Sequence, residues 1–238
     1  MSGSAVVMME TVFNISYLMI VWCLIFIMVR RWSKVDSADR KTALSILLAF
    51  VFLALGDMGH VGFRVVAFAM GDLDAAVHLF GREVVLAPLG SMATAWTFTL
   101  FYVCMVFMWK YRFRKSFGPV AWGLFFLAVI RSVIMLLPGN AWNSQNIQEP
   151  LYTLRNLPLI LMQAGTAYLI LRDAIAENDR LFKWIGAMIM VSLACYAPIV
   201  AFIKIYPNLG MLMIPKTIAY LVIAFISLKG LFPKKSTA

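Results

Sequence analysis

Seven stretches of apolar residues, each close to the roughly 20 that a helix needs to cross a bilayer, alternate along the chain with short polar segments. The first runs from Thr11 to Val29 and closes on Arg30 and Arg31. The second, Thr42 to Ala69, is interrupted by Asp57, His60 and Arg64. The third is Val84 to Trp109, and the fourth, Gly118 to Leu137, is stopped by Pro138, Gly139 and Asn140. The fifth starts near Pro150, a residue suited to a first helical turn, and ends at Arg172. The sixth is Phe182 to Ile203, and Tyr206, Pro207 and Asn208 turn the chain into the seventh, Leu209 to Leu228. The expected fold is therefore all-α: a polytopic membrane protein formed by one seven-helix transmembrane domain over residues 1–238.

Composition agrees with this pattern. The 238 residues are 63% hydrophobic and 13% charged, with a mean hydropathy of +0.86, whereas soluble domains carry about 25% charge. Met1 to Glu10 has no basic n-region or cleavage site and reads as a short tail rather than a removable signal peptide. Cys23, Cys104 and Cys195 all fall inside spans, so a disulfide framework is not expected. The three-residue repeat Ala167-Tyr168-Leu169 and Ala219-Tyr220-Leu221 is too short to define a transporter repeat.

The net charge of +10 calls for topology rather than nucleic acid, because no soluble basic face is available. Cations gather in alternate loops: Arg30, Arg31, Lys34, Arg40 and Lys41, then Lys110, Arg112, Arg114 and Lys115, then Arg172, Arg180 and Lys183, then Lys229, Lys234 and Lys235. The other loops hold Arg82, with Lys204 at a helix end. By the positive-inside rule the N-terminus is outside, the C-terminus is cytoplasmic, and the expected location is the plasma (inner) membrane.

Four cations remain at membrane depth: Arg64, Arg131, Arg155 and Lys216, with Asp57 as their one acid. Such residues cost at least about 2.5 to 3.5 kcal/mol near the bilayer centre, so they face the bundle interior and seek partners. At the helical rise per residue, Asp57, Arg131 and Lys216 share a level roughly 9 to 12 Å below the outer surface. Asp57, His60 and Arg64, spaced i, i+3, i+7, form one stripe, and Gly56, Gly59 and Gly62 among them invite close helix packing. A purely structural arrangement would pair Asp57 with Arg131 or Lys216 and let Arg64 and Arg155 snorkel to the headgroups. Glu83 and Glu149 would offset the remaining positive charge only in part, so an anion is the expected supplier.

These residues point to a ligand-binding membrane protein, a transporter or a sensor, with an outer-half pocket for a small anionic or amphipathic molecule. Asp57, His60, Arg64, Arg131, Arg155 and Lys216 are its expected ligand contacts, with Tyr152, Asn156 and Trp96. Asn14, Ser16, Tyr17, Ser91 and Thr94 could line the same cavity. Pro158, Pro198 and Pro215 fall inside spans five, six and seven, and Pro215 would place a kink beside Lys216. Trp142, Trp32, Trp109 and Trp184 fit an interfacial belt. The expected partners are the lipid bilayer, the small ligand and, in a sensor, a cytoplasmic protein.

A second function is an enzyme acting on a lipid headgroup, with Asp57 and His60 as acid and base. With only His60 and His78, a zinc site or paired-histidine haem is not expected, and no GxSxG or P-loop is present. A single lysine in the seventh helix of an N-out, C-in bundle resembles the layout of microbial rhodopsins. That resemblance implies retinal on Lys216 as a Schiff base, with Asp57 as counter-ion and Tyr196 and Pro198 in the sixth helix. The chain departs from the family where Leu212 replaces a carboxylate one turn before the lysine. It departs again at Ala93, Thr94, Ala95 and Trp96, where the third helix would carry an acid. Apart from retinal, no cofactor is expected.

Overall fold

The computed structural model describes residues 3–71, 75–79, 81–140, 142 and 149–233. Lys234 and Lys235, read above among the tail cations, lie outside them. The chain is all-helical in its main architecture, with seven helices long and apolar enough to span a membrane. They are α1 (Gly3–Arg30), α2 (Arg40–Ala69), α3 (Leu86–Arg112), α4 (Pro119–Leu136), α5 (Leu151–Ala176), α6 (Arg180–Phe202) and α7 (Met213–Leu231). Their outer surfaces expose large apolar side chains such as Met19, Phe26, Phe126, Leu136 and Ile175, a surface compatible with lipid.

An element absent from the expected all-α fold lies between α2 and α3. Strands β1 (Ala76–Leu79) and β2 (Arg82–Val85) pair antiparallel, His78 opposite Glu83. Gly81, at φ +75°, supplies the left-handed residue of the tight connection. His78 and Glu83 therefore sit on a hairpin rather than in an irregular loop. We call this the hairpin end of the bundle, and the end bearing Arg30, Arg112 and Ala176 the basic end.

Close approach of α2 and α3 is built on glycine. A Cβ on Gly56 would collide with Thr97, one on Gly59 would lie 3.1 Å from the Ala93 Cβ, and one on Gly90 would lie 2.8 Å from the His60 Cα. Gly62 faces open space and takes no part. Thr94 Oγ1, held by this approach, donates to the Gly56 carbonyl at 3.0 Å. Small residues with close backbone approach and cross-helix bonds are the packing by which apolar helices associate where burial alone gives little drive.

The helix ends follow local chemistry. Asn140 Nδ2 donates to the carbonyls of Ile134 and Leu137 and so caps the end of α4 after Pro138 and Gly139. At the basic end α3 and α5 both close with a six-to-one bond, Lys115 N–H to Lys110 O and Asp179 N–H to Ala174 O. Arg114 and Asn178 take the left-handed position in these caps, at φ +51° and +54°. Asp179 then caps α6 by accepting from the Phe182 N–H.

Two expectations about the helices are corrected. Pro215 does not kink a mid-helix: a 3-10 segment, Pro207–Leu212, precedes α7, and Pro215 lies in its first turn, where a missing N–H costs nothing. Trp109 is no belt residue, being 2% exposed and donating from Nε1 to Asp173 Oδ2 at 2.7 Å. A buried indole N–H needs such an acceptor. Pro158 and Pro198 do lie inside α5 and α6.

Candidate functional site

All seven helices contribute a polar group to the hairpin-end half of the bundle: Tyr17, Asp57, Thr99, Arg131, Arg155, Tyr196 and Lys216 from α1 to α7 in order. Asp57 does not form the expected salt bridge with Arg131 or Lys216. Asp57 instead accepts a 2.8 Å hydrogen bond from the Tyr17 hydroxyl. Lys216 lies near enough for its charge to act on Asp57, but the two make no ion pair.

Arg131, 2% exposed, is satisfied by neutral acceptors. Its Nε donates to the Arg155 carbonyl at 3.0 Å, and one terminal nitrogen reaches the Ala95 carbonyl at 2.6 Å and the Thr99 hydroxyl. This guanidinium ties α4 to α3 and α5. Arg155, 8% exposed, does not snorkel: its Cζ stands 4.5 Å from the Trp142 ring centroid and 5.8 Å from that of Tyr152. Trp142 is anchored by donating to the Met135 carbonyl at 2.8 Å. One terminal nitrogen of Arg155, Nη1, is buried without a hydrogen-bond partner.

Lys216 occupies the first turn of α7, its Nζ 4.4 Å from the ring centroid of Tyr196 and 4.8 Å from that of Phe98. These cation–π contacts substitute in part for water. Tyr196 donates to Asn156 Oδ1 at 3.1 Å, and Asn156 Nδ2 donates to the Tyr152 carbonyl. Phe98 packs edge-on against Tyr220, whose hydroxyl is 2.6 Å from that of Tyr102. The site thus runs continuously from Arg131 and Arg155 through Asn156 and Tyr196 to Lys216.

The other expected contacts divide. Tyr152 and Asn156 join the cluster, while Trp96 is half-buried on α3. His60 keeps a buried Nδ1 without a partner and makes no hydrogen bond to Asp57. Arg64 is half-buried one turn further along α2. Ser91 and Thr94 spend their hydroxyls on backbone carbonyls, and Ser16 is exposed on the outer surface of α1. Glu149 does not offset the deep cations: it pairs with Lys204 at 3.0 Å, and that hydrogen bond holds its carboxyl below the usual range. Among the described residues no carboxylate lies within ion-pair distance of Arg131, Arg155 or Lys216.

A second polar region, unforeseen as a unit, closes the basic end. Arg112 reaches Asp39 at 2.9 Å and Asp179 at 2.8 Å, with its guanidinium 5.0 Å from the Phe182 ring centroid. Lys115 pairs with Glu177, and Arg172 with Asp173. Asp39, Arg112, Glu177 and Asp179 border an open depression of about 630 Å³, lined also by Tyr111, Arg114 and Arg180.

Comparison of the chain with family models, curated proteins and solved structures finds no match.

Proposed function

We propose that this chain is an integral membrane ligand-binding protein, a transporter or a sensor, that takes a small anionic or amphipathic molecule in its hairpin-end half. The basic end is cytoplasmic in this reading, and the hairpin and N-terminus are outside, because the loop cations cluster at the basic end. The membrane is the plasma (inner) membrane. In the sensor form a cytoplasmic protein would dock on the basic loops.

The observation that carries the reading is Arg155, a guanidinium more than nine-tenths buried whose Nη1 has no partner. Burying a charge without full pairing is costly, and a carboxylate or phosphate oxygen would complete its set of donors. Arg131 and Lys216, satisfied by carbonyls, a hydroxyl and ring faces, supply further positive potential that no ion pair among the described residues cancels. The aromatic walls of Tyr152, Tyr196 and Trp142 suit an apolar body on the anion.

Thermal unfolding of the purified protein across increasing phosphate, acetate and chloride tests the site. A bound anion raises the midpoint, by the equivalent of about 2.7 kcal/mol when its concentration reaches about 100 Kd. Arg155→Gln and Lys216→Gln should each remove most of that response while the protein still inserts and purifies. Full response in both variants would put the site elsewhere.

A further inference from the structure

The face of α5 that begins at Asn156 continues inward as a line of polar residues: Gln163, Thr166 and Asp173. Their spacing of 7, 10 and 17 residues confines all four to an arc of about 100°. They cover about 26 Å along the helix, most of a bilayer's hydrocarbon core. All four are buried, and Gln163 and Thr166 have no exposed surface.

The middle of this line is unpaired. Neither the amide nitrogen nor the oxygen of Gln163 has a hydrogen-bond partner in the protein, nor does the Thr166 hydroxyl. On α6, Ser192 is fully buried beside the Tyr102–Tyr220 pair and makes no well-formed hydrogen bond. Two contacts fix its level against α5: Tyr196 meets Asn156, and Gly186 packs on Ile170 and Leu171. Between them Ser192 falls opposite the turn of α5 that carries Gln163. Ser227 of α7, also fully buried, is unpaired as well.

Leaving a buried amide or hydroxyl unpaired costs about 1 to 3 kcal/mol, and in an apolar bundle the same volume of leucine would avoid that cost. A row of such groups therefore points to something polar that meets them. We propose that Gln163, Thr166 and Ser192 line a lane leading inward from the Arg155 and Lys216 cluster, closed to water in this structure and hydrated when it opens, the route by which the small anion crosses the bundle. Gln163, Thr166 and Ser192 offer neutral donors. A fixed cation at that depth would trap an anion, whereas neutral donors solvate it and let it leave. At the inner end Asp173 is already matched by Arg172 and Trp109, so it presents little unopposed negative charge. This inference rests on the transport branch of the proposed function.

The test places single cysteines at Gln163, Thr166 and Ser192 in a chain whose Cys23, Cys104 and Cys195 are alanine, in proteoliposomes. Each is treated with an anionic and a cationic methanethiosulfonate reagent. Only a hydrated thiol ionises and reacts, so these sites should react on the order of ten-fold faster than Ile189→Cys, buried among apolar neighbours. The anionic reagent should be the faster of the two. As a measurement on the unsubstituted protein, X-ray hydroxyl-radical labelling should oxidise Met162, beside Gln163, well ahead of Met28, although both are buried. That labelling decides the matter where a variant fails to fold. Cysteines no more reactive than the control, or Met162 no faster than Met28, would overturn the lane. A faster cationic reagent would overturn its assignment to anions. Phosphate stabilisation that persists without a lane would leave the outer site standing as that of a sensor.

Discussion

At the basic end Arg112 reaches two carboxylates, whereas Arg131, in the hairpin-end half, reaches none. Asp39 and Asp179 meet Arg112, Glu177 meets Lys115 and Asp173 meets Arg172, and the groups are partly open to water. Around Arg131 and Arg155 the protein offers carbonyls, one hydroxyl and aromatic faces, and the groups are almost fully enclosed. The difference is one of purpose. Paired charges at a helix end fasten loops and caps at small cost, while enclosed, uncancelled cations hold a positive potential inside the bundle.

The contrast can be broken most severely at Arg131. Arg131→Ala removes the donor shared by the Ala95 and Arg155 carbonyls and the Thr99 hydroxyl and opens a cavity, so unfolding stability should fall by about 3 kcal/mol or more. Denaturant unfolding in mild detergent measures it, and a loss near zero would mean that the guanidinium is not the tie between α3, α4 and α5. At the other end Asp179→Ala removes both the α6 cap and one partner of Arg112, and should cost about 1 to 2 kcal/mol. Asp39→Ala removes only the partly exposed ion pair and should cost under about 1 kcal/mol in the same assay. Equal losses at the two aspartates would show that the cap adds nothing.

Tyr102→Phe and Tyr220→Phe each delete the buried hydroxyl pair and should cost about 1 kcal/mol apiece. The double variant should lose little more than either, because one bond is shared. Full additivity would show that the two hydroxyls do not stabilise each other. The smallest effect is expected at Glu149. Its carboxyl is held below the usual range by Lys204, so the pair's contribution is complete above the ordinary carboxylate value of about 4.3. It is lost as pH falls through the lower folded value. Wild type and Glu149→Gln should therefore differ slightly in thermal midpoint at neutral pH and converge in acid.

Much of the architecture was legible from residue order alone, since a helix that crosses a bilayer advertises itself in some twenty apolar positions. The stop at Pro138-Gly139-Asn140 was readable for a similar reason, being chemistry local to the chain. Pairings between distant residues were not. Asp57 stands among cations in the sequence, yet its hydrogen bond comes from a tyrosine hydroxyl 40 positions away. Ion-pair reasoning has no means of ranking Tyr17 above Arg131. Trp109 misled because an indole near a span end suits a headgroup belt as well as a buried acceptor, and only Asp173 decides between them. The short hairpin was hidden among polar loop residues, although Gly81 between two valine-bearing runs marked its turn. The polar line on α5 was visible as Asn156, Gln163 and Thr166 in an otherwise apolar helix. Ionisable neighbours drew the reading away from it.

The central claim, that the cluster around Arg155 is completed by an anion, is tested most directly by equilibrium binding of labelled phosphate to the purified protein and to Arg155→Gln. Saturable binding in the parent, weakened by about ten-fold or more on loss of the charge-assisted bonds, is the predicted result. Equal binding by both proteins, or none by the parent with phosphate, acetate or chloride, would contradict it.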